Sequence, residues 1–344
     1  MNTWTDFHPL KSCVIGSLPE PENIIPYTKL TKRYADYTTV IYNTARAELD
    51  NFENTLKKFG VTTYRSVQQY PYFNGEGVVT HPLAVRDFFT VYGNSLYRTN
   101  HAYWWEKDIV NSCDHVFDQI NFTSTYTSPS NDIFYDGDIN KFDPDKDIAR
   151  PFFEPTVTIP CGNDIIIGKY FERSGNELGK QDYMKWAKSV NPKVKFHEVD
   201  AYGHIDSTLF LVRPGLLITQ ISPDKLPSFF DKWEKIFSPP QERMLDPSYK
   251  KHKLRHRKLH PVMAKIFYNF LTTNTEETFF SGNSLSINEN TILFTGKNHE
   301  LFSKLEKKGI DCVSVDFRAT TFWDCGPHCS SNDLERTGDL EDYS

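Results

Sequence analysis

The sequence is first informative in what it does not hold. Across its 344 residues there is no run of about 18 apolar residues, which excludes a membrane-spanning helix. The start, Met1-Asn2-Thr3-Trp4-Thr5-Asp6-Phe7-His8, has no basic stretch leading into an apolar one and no early arginine. Neither a secretory signal nor a transit peptide is expected from it. Cysteine is sparse, at Cys13, Cys113, Cys161, Cys312, Cys325 and Cys329, and no two form a Cys-x-x-Cys pair. In a chain of this length that excludes a disulfide scaffold and suggests a reduced, cytoplasmic protein whose thiols are mostly buried as small apolar groups. No Gly-rich loop follows an early strand, so the phosphate cradle of nucleotide-binding sheets has no counterpart. Positive charge is not in excess either. The net charge is −6, which argues against a general nucleic-acid binder. One stretch dissents, Lys250-Lys251-His252-Lys253-Leu254-Arg255-His256-Arg257-Lys258. It reads either as an anion-binding patch or as a solvated loop or helix face.

What is present is a recurring unit in a chain that is 38% hydrophobic and 15% aromatic. Short apolar strands are expected at Arg86–Gly93, Asn163–Gly168 and Asn290–Gly296. Helical stretches are expected at Ala45–Phe59, Asp182–Ser189 and Glu300–Lys308, each followed by a further strand at Gly60–Tyr64, Lys193–Val199 and Gly309–Val315. Ala45, Leu49, Phe52, Leu56 and Phe59 repeat at three and four residues, which gives that helix one apolar face. Gly60 and Gly309 stand where a left-handed C-terminal cap belongs. Irregularly spaced strand–helix–strand units suggest repeats set around an axis rather than a solenoid.

Several residues could carry chemistry. In Asp324-Cys325-Gly326-Pro327-His328-Cys329-Ser330 a Gly-Pro turn can present the Cys329 thiol, although a buried structural thiol is the plainer reading. Cys325, His328 and Cys329 are also metal-ligand types, but their spacing fits no standard zinc signature. In Tyr202-Gly203-His204-Ile205-Asp206, His204 and Asp206 share a face if the segment is extended. Asp87 and Glu154 flank apolar strands, where each alone reads as a cap or surface group. Together they fit one task. Opposed carboxylates can grip a planar guanidinium through its paired N–H groups. A thiolate can attack its carbon, and a histidine can move the protons.

The same residues carry a resemblance to the glycine amidinotransferase-type enzymes of the guanidine-modifying, or pentein, superfamily. Its C-terminal pattern is matched by Gly326-Pro327-His328-Cys329 through Asp333, Arg336, Gly338 and Leu340. His204-Ile205-Asp206-Ser207-Thr208 with Pro214-Gly215, Arg86-Asp87 through Gly93-Asn94, and Glu154 with Gly162-Asn163-Asp164 match further motifs. Trp4, Asp6, Leu10 and Val14-Ile15-Gly16 fit the start. The resemblance implies an α/β pentein-type propeller of about five ββαβ units over a single domain, 1–344. It implies Cys329 as nucleophile, His204 as general acid and base, Glu154 as its carboxylate partner, and Asp87 and Asp206 as guanidinium ligands. Lys225, in Ser222-Pro223-Asp224-Lys225, would replace an arginine that binds the substrate carboxylate. The substrates implied are L-arginine and an acceptor amine, with no metal or cofactor and with a homodimer left open. A guanidine-hydrolysing enzyme and a non-catalytic guanidine-binding protein are the alternatives.

Departures from the family pattern matter as well. Glu154 stands where the transferases usually have Asp, as it does in their hydrolytic relatives. Val157 replaces a second polar residue, Gly203 replaces a bulky one, and Asp324-Cys325-Gly326 replaces a triple glycine. The stretch of about 239–280 is longer than the family's, as an insertion would be, and that between Tyr103 and Phe152 is shorter.

Overall fold

The computed structural model of the chain describes residues 2–28, 30–67, 72–73, 79–99, 109–129, 151–169, 175–201, 204–238, 261–272 and 282–344. The basic stretch 250–258, Gly203 and most of the two stretches of unusual length lie outside them. Within them, short strands assemble into five three-stranded sheets and one two-stranded ribbon, Tyr72–Phe73 with Val79–Thr80.

Each three-stranded sheet has one antiparallel and one parallel pairing. Phe89–Tyr92, Ser95–Arg98 and Ser124–Thr127 form one sheet, and Thr158–Cys161, Asp164–Gly168 and Lys195–Val199 the next. Leu209–Arg213, Leu216–Thr219 and Glu234–Phe237 form another, and Leu285–Asn288, Thr291–Thr295 and Asp311–Val315 another. In these four the first two strands make a tight hairpin. Gly93 and Gly162, at φ 58° and 65°, take the left-handed conformation at two of these reversals. The third strand runs parallel to its neighbour and must be reached by a crossover. Helices Glu177–Val190 and His299–Glu306 provide two of these crossovers.

The remaining sheet draws on both ends of the chain. Leu10–Ile15 pairs parallel with Thr62–Arg65 and antiparallel with Ser331–Arg336, Ile15 facing Ser331. Its crossover is the helix Lys32–Lys58, longer than the periodic stretch Ala45–Phe59 suggests. Ile41, Ala45, Leu49, Phe52 and Leu56 are buried along one face, against Phe317, Ala319 and Trp323 in the same core cluster. Gly60 caps the end at φ 78°.

Two local expectations need correction. The strand expected from Arg86 begins at Phe89, because Val85–Asp87 forms a 3-10 turn. That strand pairs antiparallel with Ser95–Arg98, which in turn pairs parallel with Ser124–Thr127, whereas Thr62–Arg65 belongs with Leu10–Ile15. His204 and Asp206 do not lie on an extended segment either. His204 is the extended residue before a 3-10 turn, Ile205–Ser207, which contains Asp206.

These turns explain where polar residues can gather. The first strand of a unit is preceded by a tight turn in three cases: Val85–Asp87, Pro155–Val157 and Ile205–Ser207. The turns contact one another, so side chains carried on them converge.

Candidate active site

Four of the five units bring a chemically useful side chain to this cluster of turns, and the terminal sheet brings the thiol. Asp87 lies in the first turn and Glu154 immediately before the second, with 7% and 4% of their surface exposed. Both are buried rather than surface caps. His204 and Asp206 come from the third turn. Asn283 precedes the strand Leu285–Asn288 and Cys329 precedes Ser331–Arg336.

The approach to Cys329 is built from backbone outward. Glu48, on the buried face of Lys32–Lys58, accepts from the N–H groups of Ala319 and Thr320 at 2.9 Å and from the Thr320 hydroxyl at 2.8 Å. It thereby holds the start of the 3-10 turn Thr320–Trp323. Burial pushes its carboxyl up to about 7, against those hydrogen bonds. Asp324 then reverses the chain at φ 54°. The N–H of Ser330 donates to the Gly326 carbonyl at 3.0 Å and that of Ser331 to His328 at 3.1 Å. Arg86, buried behind this turn, donates through Nε to the carbonyls of His328 and Ser331, each at 3.0 Å. Its guanidinium and that of Arg336 hold Asp333 at 3.1 and 2.8 Å. Although burial opposes ionisation, these two cations lower the Asp333 carboxyl to about 2.

The chemistry-bearing atoms themselves are close. A His204 ring nitrogen, an Asp206 carboxylate oxygen and Cys329 Sγ lie within 4.8 Å of one another. His204 Nε2 is 3.1 Å from Glu154 Oε2, and Nδ1 is 3.9 Å from Asp87 Oδ1. Burial works against a charged imidazole here. Asp87, then Glu154 and Asp206, outweigh it and raise His204 to about 10. The Cys329 thiol donates to Asp206 Oδ2 at 3.3 Å and receives the Asn283 amide at 2.7 Å. Burial pushes this thiol well above its ordinary range, and Asp206, Cys325 and Asp87 add to the effect. Asp206 Oδ2 also meets His328 Nδ1 at 2.8 Å, and His328 Nε2 lies 3.5 Å from Asp6. Although burial opposes it, the His328 contact keeps the Asp206 carboxyl below its usual value. Asp206 Oδ1 is buried and has no hydrogen-bond partner among the described residues. A buried acceptor left open in this way is a place for a donor on a ligand.

Cys329, His204, Glu154, Asp87 and Asp206 are therefore brought together. Lys225 is not. It is exposed at the end of the turn Pro223–Lys225, and no described side-chain contact joins it to the others. Sequence reasoning missed Asn283, and it treated His328 only as a metal-ligand type. His204, Asp206 and Cys329 have the proximity of metal ligands. Metal ligation, however, needs neutral imidazole and thiolate, and the carboxylates around His204 favour the opposite state. In the trio suggested by sequence, Cys325, His328 and Cys329, the His328 nitrogens face Asp206 and Asp6. The donor set suits a cation bearing N–H groups better than a metal.

No family model matches the chain. It is similar to inosamine-phosphate amidinotransferase 1 of Streptomyces glaucescens, 25% identical over 201 residues, which are 56% of this chain and 49% of the relative. It is also similar to the L-arginine:L-lysine amidinotransferase of Pseudomonas savastanoi pv. phaseolicola, 24% identical over 200 residues, 56% of this chain and 47% of the relative. The chain spans about half the length of the curated relatives it matches. The solved inosamine-phosphate amidinotransferase StrB1 of Streptomyces griseus superposes with a TM-score of 0.70 at 18% identity, covering 99% of this chain and 98% of that one. A dimethylarginine dimethylaminohydrolase superposes at 0.63 with 10% identity, covering 94% and 99%. The resemblance to amidinotransferases thus holds in sequence over 56% of the chain, and the α/β fold is shared with the solved transferase and hydrolase.

Proposed function

We propose that this chain is an amidinotransferase that moves the amidino group of L-arginine through Cys329 to an acceptor amine. The observation that carries the reading is the open, buried Asp206 Oδ1 beside Cys329 Sγ, with the charged His204–Glu154 pair close by. A guanidinium has N–H donors for Asp206 and Asp87 and a flat face for the sulfur. On this reading the five sheets are blades about a pseudo-fivefold axis in one domain, 1–344, with the site at their converging turns.

The free site holds a neutral thiol. A bound guanidinium reverses that balance, because its positive charge between the carboxylates favours the thiolate, and the thiol proton leaves to solvent as the complex forms. Sγ then forms a bond to the guanidinium carbon. His204 delivers its proton to the δ-nitrogen of the departing ornithine as the carbon–nitrogen bond breaks. The amidino group rests on sulfur as a thiouronium. An acceptor amine attacks that carbon, His204 takes up the amine proton, and the carbon–sulfur bond breaks to restore the thiolate. Dividing the transfer in this way replaces one difficult step by two easier ones.

Mass spectrometry of enzyme mixed with arginine is expected to show an amidino adduct on Cys329, and ornithine is expected to accumulate only when an amine is supplied. Cys329→Ala should lose both. Full activity in that variant overturns the reading. Glu154, the residue type of the hydrolytic relatives, favours a second reading in which water replaces the amine. Citrulline or urea-type product with ammonia from a guanidine alone would select it.

A further inference from the structure

The unit to which sequence motifs assign no chemistry still sends a side chain to the thiol. Asn283 comes from the turn before Leu285–Asn288 and is 1% exposed. Its Oδ1 accepts the backbone N–H of Cys329 at 3.1 Å, which settles the amide orientation, since a carbonyl must face that donor. Nδ2 is consequently presented to Sγ, at 2.7 Å. The fit around it is close. A Cβ on Gly282 would meet the Ser207 carbonyl oxygen at 2.4 Å, and one on Gly326 would meet Asn283 Oδ1 at 2.6 Å. Asn283 is therefore held between the turn carrying Asp206 and the turn carrying Cys329, both of which would have to shift for any side chain larger than hydrogen at those glycines.

We propose that Asn283 is a catalytic residue of this site, whose amide N–H stabilises negative charge on Cys329 Sγ as the carbon–sulfur bond forms and breaks. The inference rests on the amidino-transfer reading above. Its logic is one of charge. Asp206 and Asp87, which a guanidinium needs, both oppose a thiolate. A cationic donor to sulfur would offset them but would repel the substrate and compete for the same carboxylates. A neutral amide donates to sulfur without doing either. Since Asn283 also fixes the Cys329 backbone, it ties the position of the nucleophile to its reactivity.

Asn283→Asp keeps the shape and the acceptor for the Cys329 N–H but turns a carboxylate oxygen toward sulfur, and Asn283→Ala removes the group. Two measurements are made on each full-length variant: the single-turnover rate of amidino adduct formation on Cys329 with arginine, and the pH dependence of Cys329 alkylation by iodoacetamide, both read by mass. Both variants should slow the adduct by about a hundredfold or more, the scale of one lost oxyanion-type donor, and both should move alkylation to higher pH, Asp more than Ala. A merely structural role would slow the adduct without moving the alkylation profile, and that result in a folded variant overturns the proposal. If one variant fails to fold, the other decides. If wild-type protein forms no adduct with arginine while the alkylation profile still shifts, the transfer reading has failed and the Asn283–sulfur interaction has not.

Discussion

The two histidines of the site make an instructive pair. Both are raised by neighbouring carboxylates against the effect of burial. His204 keeps 27% of its side chain exposed and has Glu154 at 3.1 Å and Asp87 at 3.9 Å. His328 keeps 4%, lies between Asp206 and Asp6, and is opposed by the charge of Arg86. A carboxylate partner therefore does not by itself mark a proton shuttle. What separates the two is access, since 27% of the His204 side chain is exposed against 4% of His328. On the proposed reading His204 exchanges protons with substrate, while His328 holds Asp206 ionised and aimed.

Exchanging the two roles by mutation is the strongest way to break this comparison. His204→Asn should cut turnover by about 10² to 10⁴, the usual worth of a general acid and base, with a modest change in urea unfolding. His328→Asn should do the reverse in emphasis. It leaves Asp206 and Asp6 buried with weaker partners, so unfolding free energy should fall by about 3–5 kcal/mol, as when one partner of a buried ion pair is removed. Equal losses of stability in the two variants would dissolve the distinction.

Glu154→Gln sharpens it with a smaller effect. His204 is raised in the folded state to about 10 from an ordinary 6.5. Its contribution to stability is therefore fully present below about 6.5 and is lost as pH rises through about 10. Turnover should follow a bell-shaped profile whose limbs belong to the coupled thiol–imidazole pair. Losing the Glu154 charge should move the alkaline limb downward and lower the maximum about tenfold, equivalent to about 1.4 kcal/mol of support for the imidazolium. An unchanged profile would detach Glu154 from His204. Lys225→Ala sets the lower end of the scale. As an exposed charge, it should leave kcat within about twofold and raise KM for arginine by no more than about fivefold, the range of a surface ion pair. A larger effect on kcat would bring Lys225 into the site after all.

Much of this was legible in the sequence, for physical reasons that differ by residue. Cys329, His204 and Asp206 stand in short motifs whose residue types announce reactivity. Asp87 and Glu154 became informative only in combination, because a carboxylate beside a strand usually caps it. Asn283 was hidden, since Gly282-Asn283-Ser284 reads as an ordinary turn. A usable signal did exist: Asn283 precedes the first strand of its unit, as Asp87 and Glu154 precede theirs. The role of His328 depends on Asp6 and Asp206, which no local pattern connects to it. In the fold, the hairpin partner Thr158–Cys161 was obscured by Pro160. The first turns of Lys32–Lys58 were obscured by Tyr34, Tyr37, Thr38, Thr39 and Val40, aromatic and β-branched residues that weigh against helix, although Tyr34 and Tyr37 pack against the core cluster.

The terminal sheet has a bearing on how the protein comes into being. Ile15 is matched to Ser331, and the Arg336 guanidinium reaches the His8 carbonyl across 328 positions of sequence. Pairings so distant close late in folding, because long loops must be ordered before they are rewarded. A chain emerging from the ribosome can complete its middle units while Leu10–Ile15 still waits for its antiparallel neighbour with one edge unpaired, an invitation to association with other chains. The strand that covers this edge follows Cys329 by two residues. Sealing the sheet thus also sets Cys329, the nucleophile of the proposed transfer, in its place. On the proposed reading, a chain without this strand in place has Asp87 and Asp206 but no thiol beside them, so reactivity waits on closure of the sheet.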